Sequence, residues 1–536
     1  MSTEIEVKQQ ERIIKIEQPS KYATINLALD SFKINKQVIA FVGTKRGAEK
    51  TAEDISKKVK LNKQETLFFE ELSEKILAAI PKPTKQCKRL ANCLKKGLAF
   101  HHAGLMHKQR EIIEDNFREG KIKCICSTPT LALGIDLPAY RVIIKDLKRF
   151  SGQGWGGMSW IPVLEYLQMA GRAGRPKFET TGEAIAIASS EENKEEIFEN
   201  YVKGEPEEVL SKLAVEPVLR SYVLSLIATG FVSNKKQLLE FFGKTFWAHQ
   251  YQDLFKLENI LDKILNLLDE YEFIQYNTNQ DFVSAEDLGD EKINATLLGR
   301  RIAQLYIDPI TAHHIITCLK RGASYKLVTS FGLLQMVSHT IEMRPLLRVR
   351  AKEYDIIQEQ WVKHDSEMLE IEPSYFESDF DEFLNSIKTA LFLKDWISEI
   401  DEEVILENYN TRPGETRMKI DRADWLLYCA EELAKLLSFH SLVTEIIKIR
   451  LRLKYGVKEE LLALLKLKNI GRVRARILFA NKIKDIGDIK RASPITLAQL
   501  IGRKVAINIK KQVGEDIDKI IVPERKRKGQ KSLNDF

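Results

Sequence analysis

The chain has 536 residues, with 44% hydrophobic and 30% charged residues and a formal net charge of +7. A chain of this length is expected to hold about three to five domains. The charged opening excludes a signal peptide, no apolar run approaches the ~20 residues of a membrane span, and six scattered cysteines exclude a disulfide framework. These features predict a soluble, cytoplasmic protein.

Residues 1–195 alternate strand-like apolar runs with helix-like runs, a pattern typical of an α/β domain with a mostly parallel sheet. Two apolar runs, 38–42 and 122–126, are each followed by a polar loop, and ligands of open α/β sheets bind at such strand ends. Cys124 and Cys126 alternate within the second run, so we expect buried thiols rather than metal ligands. The loops carry Thr44, Arg46, Thr128, Gly134 and Asp136.

A second polar block has the pattern Gln168-x-x-Gly171-Arg172-x-Gly174-Arg175. A guanidinium is always charged and fork-shaped, which suits a phosphoryl group that gathers charge in its transition state. The glycines let the backbone come close to such a group. We therefore predict catalytic roles for Arg172, Arg175 and Gln168, and nucleotide binding by Gly134, Asp136 and the same two arginines.

These blocks resemble motifs V and VI of superfamily 2 helicases. Residues 38–46 resemble motif IV, and residues 100–110 (FHHAGLMHKQR) resemble the motif that follows it. The resemblance implies a second RecA-like lobe over 1–195 that works with ATP and Mg²⁺. It also implies DNA contacts by Thr44, Arg46, His102 and Thr128.

The motifs with which a complete helicase binds the nucleotide phosphates and Mg²⁺ are missing from this sequence. Neither a G-x-x-x-x-G-K-[ST] phosphate loop nor an acidic D-E-x-H-type motif for Mg²⁺ occurs in the 536 residues. Gly243–Thr245 reads Gly-Lys-Thr, but Leu238 stands where the first glycine of the loop belongs. We expect the first lobe to be absent, so that ATP and Mg²⁺ are shared with a lobe supplied separately.

Between motifs V and VI, a basic strand and a glycine-rich tip with Trp155 and Trp160 predict a β-hairpin at about 148–160. Aromatic faces stack on unpaired bases, so Trp155 is a predicted DNA contact. The alternative is a surface loop with its tryptophans packed on the sheet.

The sequence after residue 195 changes to mostly helical patterns. Helices followed by a short strand at 273–276 predict a winged-helix domain over 196–300, and a helical domain follows over 301–440. Within it, we predict that single-stranded DNA is bound by Arg417, Arg422 and Trp425. A guanidinium binds phosphate, and an indole stacks on a base. Trp425 as an ordinary core residue is the alternative.

The C-terminal part is strongly basic, with 24 Lys/Arg against 10 Asp/Glu in residues 441–536, so the preceding residues sum to −7. A basic domain whose turns can bind phosphate indicates nucleic-acid binding. Residues 441–520 resemble a helix-hairpin-helix domain, with Asn469 at the first glycine position of the turn, and a weaker copy surrounds Gly502. Its predicted DNA contacts are Gly471, Arg472, Arg474 and Arg476.

The basic tail, 521–536, ends in a peptide that matches the sliding-clamp-docking pattern Q-x-x-[hydrophobic]-x-x-[aromatic]. Gln530, Leu533 and Phe536 occupy the three defining positions. A plain disordered tail is the alternative. If the peptide is used, the sliding clamp is a partner of this protein.

Together, the motifs, the LLGRRIAQLYIDP segment, the PGxxR…ADWLLY helix and the LKNIGRVRAR turn are similar to the archaeal Holliday-junction-migration helicases, relatives of the helicase half of polymerase theta. The resemblance implies an ATP-dependent 3′ to 5′ translocase on single-stranded and forked DNA, in replication-fork repair and recombination. It also implies that the hairpin splits strands and that the Trp425 helix ratchets along one strand. Met418 stands where relatives often carry an arginine, so Arg417 or Arg422 would replace it.

We hypothesise that the chain is the C-terminal subunit of a split helicase whose N-terminal lobe is separately encoded. The alternatives are a non-catalytic protein that binds branched DNA and docks on the clamp, and a superkiller-type RNA helicase. A helix-hairpin-helix at the C-terminus is not expected of the RNA helicases.

Overall fold

The computed structural model describes the chain except for residues 1–3, 8–9, 81–82, 152–156, 175–180, 214–215, 252–253, 277–291, 325–327, 375, 377–378 and 516–536. It divides into two compact units. The first comprises Met1–Val209 together with Leu406–Met418, and the second comprises Leu210–Ile405 together with Lys419–Phe536. No helix within the described ranges is both long enough and apolar enough to span a bilayer.

The first unit is built on a five-stranded parallel sheet flanked by helices, which confirms the predicted parallel sheet. The strand order is β4-β5-β3-β6-β9, and the strands β3, β4, β5 and β6 are buried along their length, as expected of a sheet covered on both faces. The elements in chain order are β1 (Glu4–Val7), β2 (Gln10–Lys15), α1 (Ala23–Lys33), β3 (Val38–Phe41), α2 (Lys45–Ser56), α3 (Lys63–Ala78), α4 (Lys85–Leu94), β4 (Leu98–His101), α5 (His107–Arg118), β5 (Cys124–Ser127), β6 (Arg141–Ile144), β7 (Lys148–Ser151), β8 (Gly157–Trp160), α6 (Val163–Ala170), β9 (Glu183–Ala186) and α7 (Glu191–Ile197).

Two features of this unit differ from, or add to, the sequence prediction. The strand β4 was not predicted, although it pairs in parallel with β5 from Leu98 to His101. The strands β7 and β8 pair antiparallel, with Lys148 opposite Trp160 and the Lys148 ammonium 4.0 Å from the centre of the indole. All six cysteines are free and buried, as predicted for Cys124 and Cys126.

The second unit is mostly helical. Its helices bury a continuous set of apolar side chains, including Phe331, Phe383 and Leu427. A short antiparallel pair, β10 (Ile274–Tyr276) and β11 (Ile293–Ala295), follows four helices. Those helices are α8 (Glu216–Ala228), α9 (Lys235–Gly243), α10 (Phe246–Tyr251) and α11 (Leu254–Glu270). After β11 come α12 (Leu297–Leu305), α13 (Pro309–Ala323), α14 (Ser330–Ser338), α15 (Tyr354–His364), α16 (Phe380–Ile397), α17 (Glu402–Tyr409), α18 (Pro413–Leu436) and α19 (His440–Tyr455).

The C-terminal helices form a small core of their own within the second unit, centred on residues such as Leu464, Leu478 and Leu497. They are α20 (Leu462–Leu465), α21 (Arg472–Ala480), α22 (Ile486–Arg491), α23 (Pro494–Ile501) and α24 (Arg503–Gln512). Asn469 has a φ of 71°, so it adopts the left-handed conformation that the sequence predicted for this turn. Gly502 takes a positive φ of 89° between α23 and α24.

Candidate functional site

The strands β3, β4 and β5 run parallel and side by side, so their carboxyl ends meet at one edge of the sheet. His102 and Thr128 follow the ends of β4 and β5 directly, and Thr44 lies three residues after the end of β3. Thr44 is exposed, and its hydroxyl accepts a 3.0 Å hydrogen bond from the Gly47 amide at the start of α2. Thr128 is buried, and its hydroxyl lies 2.9 Å from that of Thr130.

Arg172 lies against the loop that follows β5. Its guanidinium donates to the Ala132 carbonyl from Nε at 3.2 Å and from Nη2 at 2.6 Å, and its Nη1 is 3.7 Å from Asp136 Oδ1. The Arg172 side chain is 23% exposed and that of Asp136 is 94% exposed. Gly134 has a φ of 76°, and an added Cβ would meet open space there. The structure thus brings together three of the predicted nucleotide-binding residues.

The backbone of the second arginine block is fastened to the same part of the lobe. The Ala139 amide donates to the Arg172 carbonyl at 2.9 Å, and the Gly174 amide donates to the Ala139 carbonyl at 2.7 Å. Gly174 has a φ of 94°, and a Cβ on Gly182 would lie 2.2 Å from the Gly174 nitrogen. The turn therefore requires glycine at both positions. Gln168 is half-buried on α6, one turn before Arg172.

Several predicted residues lie outside the described part of the chain. These are Trp155 of the hairpin tip, Arg175, and the tail residues Gln530, Leu533 and Phe536. Their roles remain predictions. Among the described residues, no group of three or more His, Cys, Asp or Glu is arranged to hold a metal ion.

His102 is fully buried, which corrects the prediction that its side chain contacts DNA. Its Nε2 lies 3.1 Å from Glu49 Oε1, and its Nδ1 accepts from the Gly104 amide at 3.1 Å. Burial lowers the pKa of His102, although the hydrogen bond with Glu49 opposes the shift. A neutral ring that donates from Nε2 and accepts at Nδ1 satisfies both contacts. His102 is therefore a structural partner of Glu49.

Glu49 connects this ring to the segment 406–418, a role that was not predicted from the sequence. Its carboxylate accepts from Arg412 Nε at 3.1 Å and from Arg89 Nη1 at 2.6 Å. Burial opposes ionisation of Glu49, but the hydrogen bond from His102 and the bonds and charges of Arg412 and Arg89 outweigh it and lower its pKa to about 2. Glu49 is consequently a permanent anion. No local pattern in the sequence signals it.

The segment 406–418 makes further contacts with the lobe. Lys45 pairs with Glu415, and the exposed Arg46 donates to Asn410 Oδ1 at 3.0 Å. The Gly414 amide donates to the Gly104 carbonyl at 3.0 Å, and an added Cβ on Gly414 would lie 2.4 Å from the Leu105 carbonyl oxygen. We call Glu49, His102, Arg412 and Gly414 the anchor, because together they fix the start of α18 on the lobe. Arg46, a predicted DNA contact, is engaged by this segment.

The predicted strand-binding residues lie on α18. Arg417 and Met418 are exposed, and Arg422 and Trp425 are half-buried. Arg422 and Trp425 are three residues apart and so share a face of the helix. Trp425 is half-buried and is not among the fully buried core residues. The Arg422 guanidinium donates to the Arg344 carbonyl at 2.6 Å.

The three arginines of the C-terminal turn are not equivalent. Arg476 pairs with Glu399 and with Glu460, in each case at 2.6 Å, and Arg472 donates to the Glu399 carbonyl at 2.7 Å. Arg474 is exposed, with one bond to the Asn469 carbonyl at 2.8 Å. The DNA contacts predicted for the three arginines stay predictions, and two of these residues, Arg472 and Arg476, are engaged within the protein. Arg474 remains a predicted contact, and Gly471 begins α21 beside it.

Comparison with known families supplies the identity. Residues 20–177 match the helicase conserved C-terminal domain, and residues 331–456 match domain 4 of archaeal helicases. The chain is 38% identical over 508 residues to the ATP-dependent DNA helicase Hel308 of Pyrococcus horikoshii, covering 93% of this chain and 67% of the relative. The chain belongs to the Hel308 family of archaeal DNA helicases. Hel308 of Pyrococcus abyssi is 38% identical over 515 residues, with 94% of this chain and 67% of the relative covered, and Hel308 of Methanocella arvoryzae is 36% identical over 501 residues, with 92% and 65% covered.

The two domain matches, over residues 20–177 and 331–456, fall on the two regions described above. The first covers the sheet edge with Arg172, and the second covers the helical region with Arg422 and Trp425. The chain spans about two thirds of the length of these relatives. The prediction that the chain resembles an archaeal superfamily 2 DNA helicase is therefore confirmed.

Proposed function

We propose that this chain supplies the second nucleotide-binding lobe and the DNA-handling region of an ATP-dependent DNA helicase that moves 3′ to 5′ on forked or branched DNA. The observation that carries the proposal is the placement of Arg172 beside Gly134 and Asp136 at the sheet edge. A partly exposed guanidinium next to an open glycine turn fits a phosphate group. The membership of the chain in the Hel308 family supports DNA as the substrate.

The first lobe, with the phosphate loop and the carboxylates for Mg²⁺, comes from outside these 536 residues. When ATP and Mg²⁺ are held there, they supply the energy for translocation. Arg172 and Arg175 face the transferred phosphoryl group and stabilise its charge, with Gln168 beside them. In the present state the Ala132 carbonyl holds the Arg172 guanidinium, so Arg172 exchanges that bond for phosphate when nucleotide binds.

The remaining regions handle DNA. The β7–β8 hairpin separates strands at a duplex end, the helices and hairpin from α8 to β11 form a winged helix, and α18 follows one strand through Arg417, Arg422 and Trp425. The turn at Gly471, with Arg474, forms one half of a helix-hairpin-helix that binds phosphate through backbone amides. Thr44 and Thr128 contact the strand at the sheet edge. The tail docks on a sliding clamp through Gln530, Leu533 and Phe536.

The test is a reconstituted ATPase assay. The chain is mixed with a polypeptide that carries the phosphate loop and Mg²⁺ carboxylates, and ATP hydrolysis is measured with forked DNA, with RNA and without nucleic acid. We expect activity only in the mixture, with forked DNA as the stronger activator. Replacing Arg172 with alanine should lower kcat on the order of 10³- to 10⁵-fold, as for other arginine fingers.

The matched control is Arg118→Ala, which removes an exposed arginine of the same lobe that pairs with Asp115 at 2.8 Å. Its ATPase rate should equal that of the wild type. Brisk hydrolysis by the chain alone, or equal rates for Arg172→Ala and Arg118→Ala, would refute the role given to Arg172. Stronger activation by RNA would favour the RNA-helicase alternative.

A further inference from the structure

The segment 344–350 of the second unit forms neither a helix nor a strand, and its end residues Arg344 and Arg350 have extended backbone angles. It joins the 3₁₀ turn after α14 to the turn that begins α15, and its sequence is RPLLRVR. Loop backbones of this kind normally leave their polar groups to water. Here side chains from two helices, α16 and α18, hold the backbone instead.

The helix α16 holds the second half of the segment. The Leu347 amide donates to Thr389 Oγ1 at 3.0 Å, and the Val349 amide donates to Asn385 Oδ1 at 2.6 Å. The ammonium of the buried Lys388 donates to the Arg348 carbonyl at 3.0 Å and pairs with Glu353 at 2.6 Å. The segment is therefore fixed in place by groups that are expensive to bury unless they are paired.

The helix α18 holds the first half. The buried Lys419 donates to the Pro345 carbonyl at 2.7 Å, and Arg422 donates to the Arg344 carbonyl at 2.6 Å. Arg422 is the residue that shares a face with Trp425. The segment thus continues the surface of α18 that carries the half-buried indole.

This arrangement presents two cations to solvent. Arg348 and Arg350 are exposed, whereas Val349 between them is half-buried. Residues that are two apart in the chain can have Cα atoms up to about 6.6 Å apart, which is the scale of one nucleotide in a single strand. Within the described ranges neither guanidinium lies within 4.0 Å of a carboxylate oxygen, whereas the neighbouring Arg344 pairs with Glu382 at 2.5 Å. The Glu353 carboxylate, which accepts from the Arg350 amide at 2.9 Å, interacts with the charge of Arg350 from a greater distance.

We propose that Arg348 and Arg350 form a phosphate track for single-stranded DNA, and that the track keeps the strand against Trp425. The inference rests on the proposed function. Two guanidiniums take successive phosphates while the indole stacks on a base, which is the combination that single-strand-binding surfaces use. The backbone bonds to α16 and α18 set the spacing of the cations before DNA arrives, so binding does not have to order the segment.

The experiment measures the affinity of the full chain for a fluorescently labelled oligo-dT at several salt concentrations. Removing one cation that neutralises a phosphate of a single strand reduces the slope of log K against log[salt] by about 0.7. The double variant Arg348→Gln/Arg350→Gln should therefore reduce the slope by about 1.4. The double variant Arg348→Lys/Arg350→Lys keeps both charges and should keep the slope.

The control is Lys95→Gln/Lys96→Gln, which removes the same charge from two exposed residues after α4 in the other unit. It should leave the slope unchanged. A second variant, Asn385→Ala/Thr389→Ala, releases two backbone amides of the segment and retains its arginines. We expect this variant to weaken binding at every salt concentration without changing the slope.

The possible results separate this inference from the proposed function. If the wild type binds oligo-dT and the Arg348→Gln/Arg350→Gln variant keeps the wild-type slope, the phosphate track is refuted and the proposed function stands. If the wild type binds no single-stranded DNA, both fail. A circular dichroism spectrum and an unfolding curve equal to those of the wild type establish that each variant is folded, so a reduced slope reports the phosphate contacts themselves.

Discussion

Each unit of this protein contains a histidine bonded to a glutamate, and the pKa values of the two histidines, the buried His102 and the half-buried His339, are shifted in opposite directions. In the first unit His102 lies 3.1 Å from Glu49, and burial lowers the pKa of His102. In the second unit His339 lies 2.6 Å from Glu370, and there the hydrogen bond and the charge of the glutamate outweigh burial, so the pKa of His339 is raised. The same two residue types therefore behave differently in the two regions.

The neighbours of each carboxylate explain the difference. Glu49 also binds Arg412 and Arg89, and the positive charges of Arg412 and Lys45 disfavour a proton on His102. Glu370 accepts instead from the neutral Gln335 amide at 2.6 Å, so its charge remains available to His339. In the anchor, Arg412 and Arg89 thus act as the counterions of Glu49, and the pKa of His102 is lowered.

The two pairs should therefore respond differently to pH. The anchor holds the start of α18 on the lobe through a permanent ion pair that does not titrate near neutral pH. In the second unit the pKa of His339 is raised from its ordinary value, so that pair responds to pH through the histidine. We expect the Glu49–Arg412 ion pair itself to persist over the pH range in which the two histidines change protonation, because the pKa of Glu49 is lowered to about 2.

The largest effect should come from removing the Glu49 charge. Glu49→Gln leaves the Arg412 guanidinium without its buried counterion, and breaking a buried pair from one side costs about 3–5 kcal/mol. Urea unfolding of the full chain, followed by hydrogen exchange of peptides from each unit, should show the loss in the first unit. Protection of 406–418 should fall most.

The control for that substitution is Glu53→Gln. Glu53 also pairs with Arg89, at 2.5 Å, but both side chains are partly exposed. Loss of an exposed pair costs about 1 kcal/mol or less. Equal losses for the two variants would contradict the importance given to the anchor.

A smaller effect is expected at Gly414. An added Cβ would lie 2.4 Å from the Leu105 carbonyl oxygen and 2.5 Å from that of Ala103, and backbone atoms cannot move aside as a flexible side chain can. Gly414→Ala should cost about 1–3 kcal/mol, the usual range for overpacking, and should expose 406–418 to hydrogen exchange. Gly157→Ala in β8 is the control, because a Cβ there meets open space. Unchanged exchange in Gly414→Ala would show that the close approach is not needed.

Local patterns in the sequence were sufficient for the sheet and for the chain position of its loops. The apolar runs 38–42 and 122–126 form parallel strands, and the polar residues after them lie at the carboxyl edge because parallel strands all end there. The left-handed Asn469 was likewise predictable, because the preference belongs to the residue itself.

Contacts between distant parts of the chain could not be predicted in this way. Arg412 and Glu49 are 363 residues apart, and Arg476 and Glu399 are 77 apart. Nothing near His102 in the sequence shows that an arginine will neutralise its partner, so a motif histidine was predicted to face DNA. The same holds for Arg472 and Arg476, whose acceptors belong to the turn after α16.

The smallest effect, the response to pH, tests the comparison directly. A histidine with a lowered pKa in the folded state stabilises the protein above its unfolded pKa of about 6.5, so the first unit should lose stability as pH falls below that value. Glu49 adds a further loss only as the pH falls from about 4.5 towards 2. His339 has a raised pKa, so its contribution is complete below about 6.5 and is lost as pH rises through the folded value.

The groups that face His339 are Glu370, His314, Glu382 and Arg344, and of these the two carboxylates favour its charged form. Lowering the pH from about 8 to about 6 should therefore increase the contribution of His339 to the stability of the second unit, while the contribution of His102 to the first unit begins to fall. His313 and His314, whose pKa values burial lowers, oppose the gain in the second unit. Urea midpoints of each unit across this range, read from hydrogen exchange, provide the measurement. The variant Glu370→Gln should abolish the gain in the second unit only, since it removes the charge that holds the proton on His339. An equal pH dependence of the second unit in the wild type and in Glu370→Gln would contradict the raised pKa of His339.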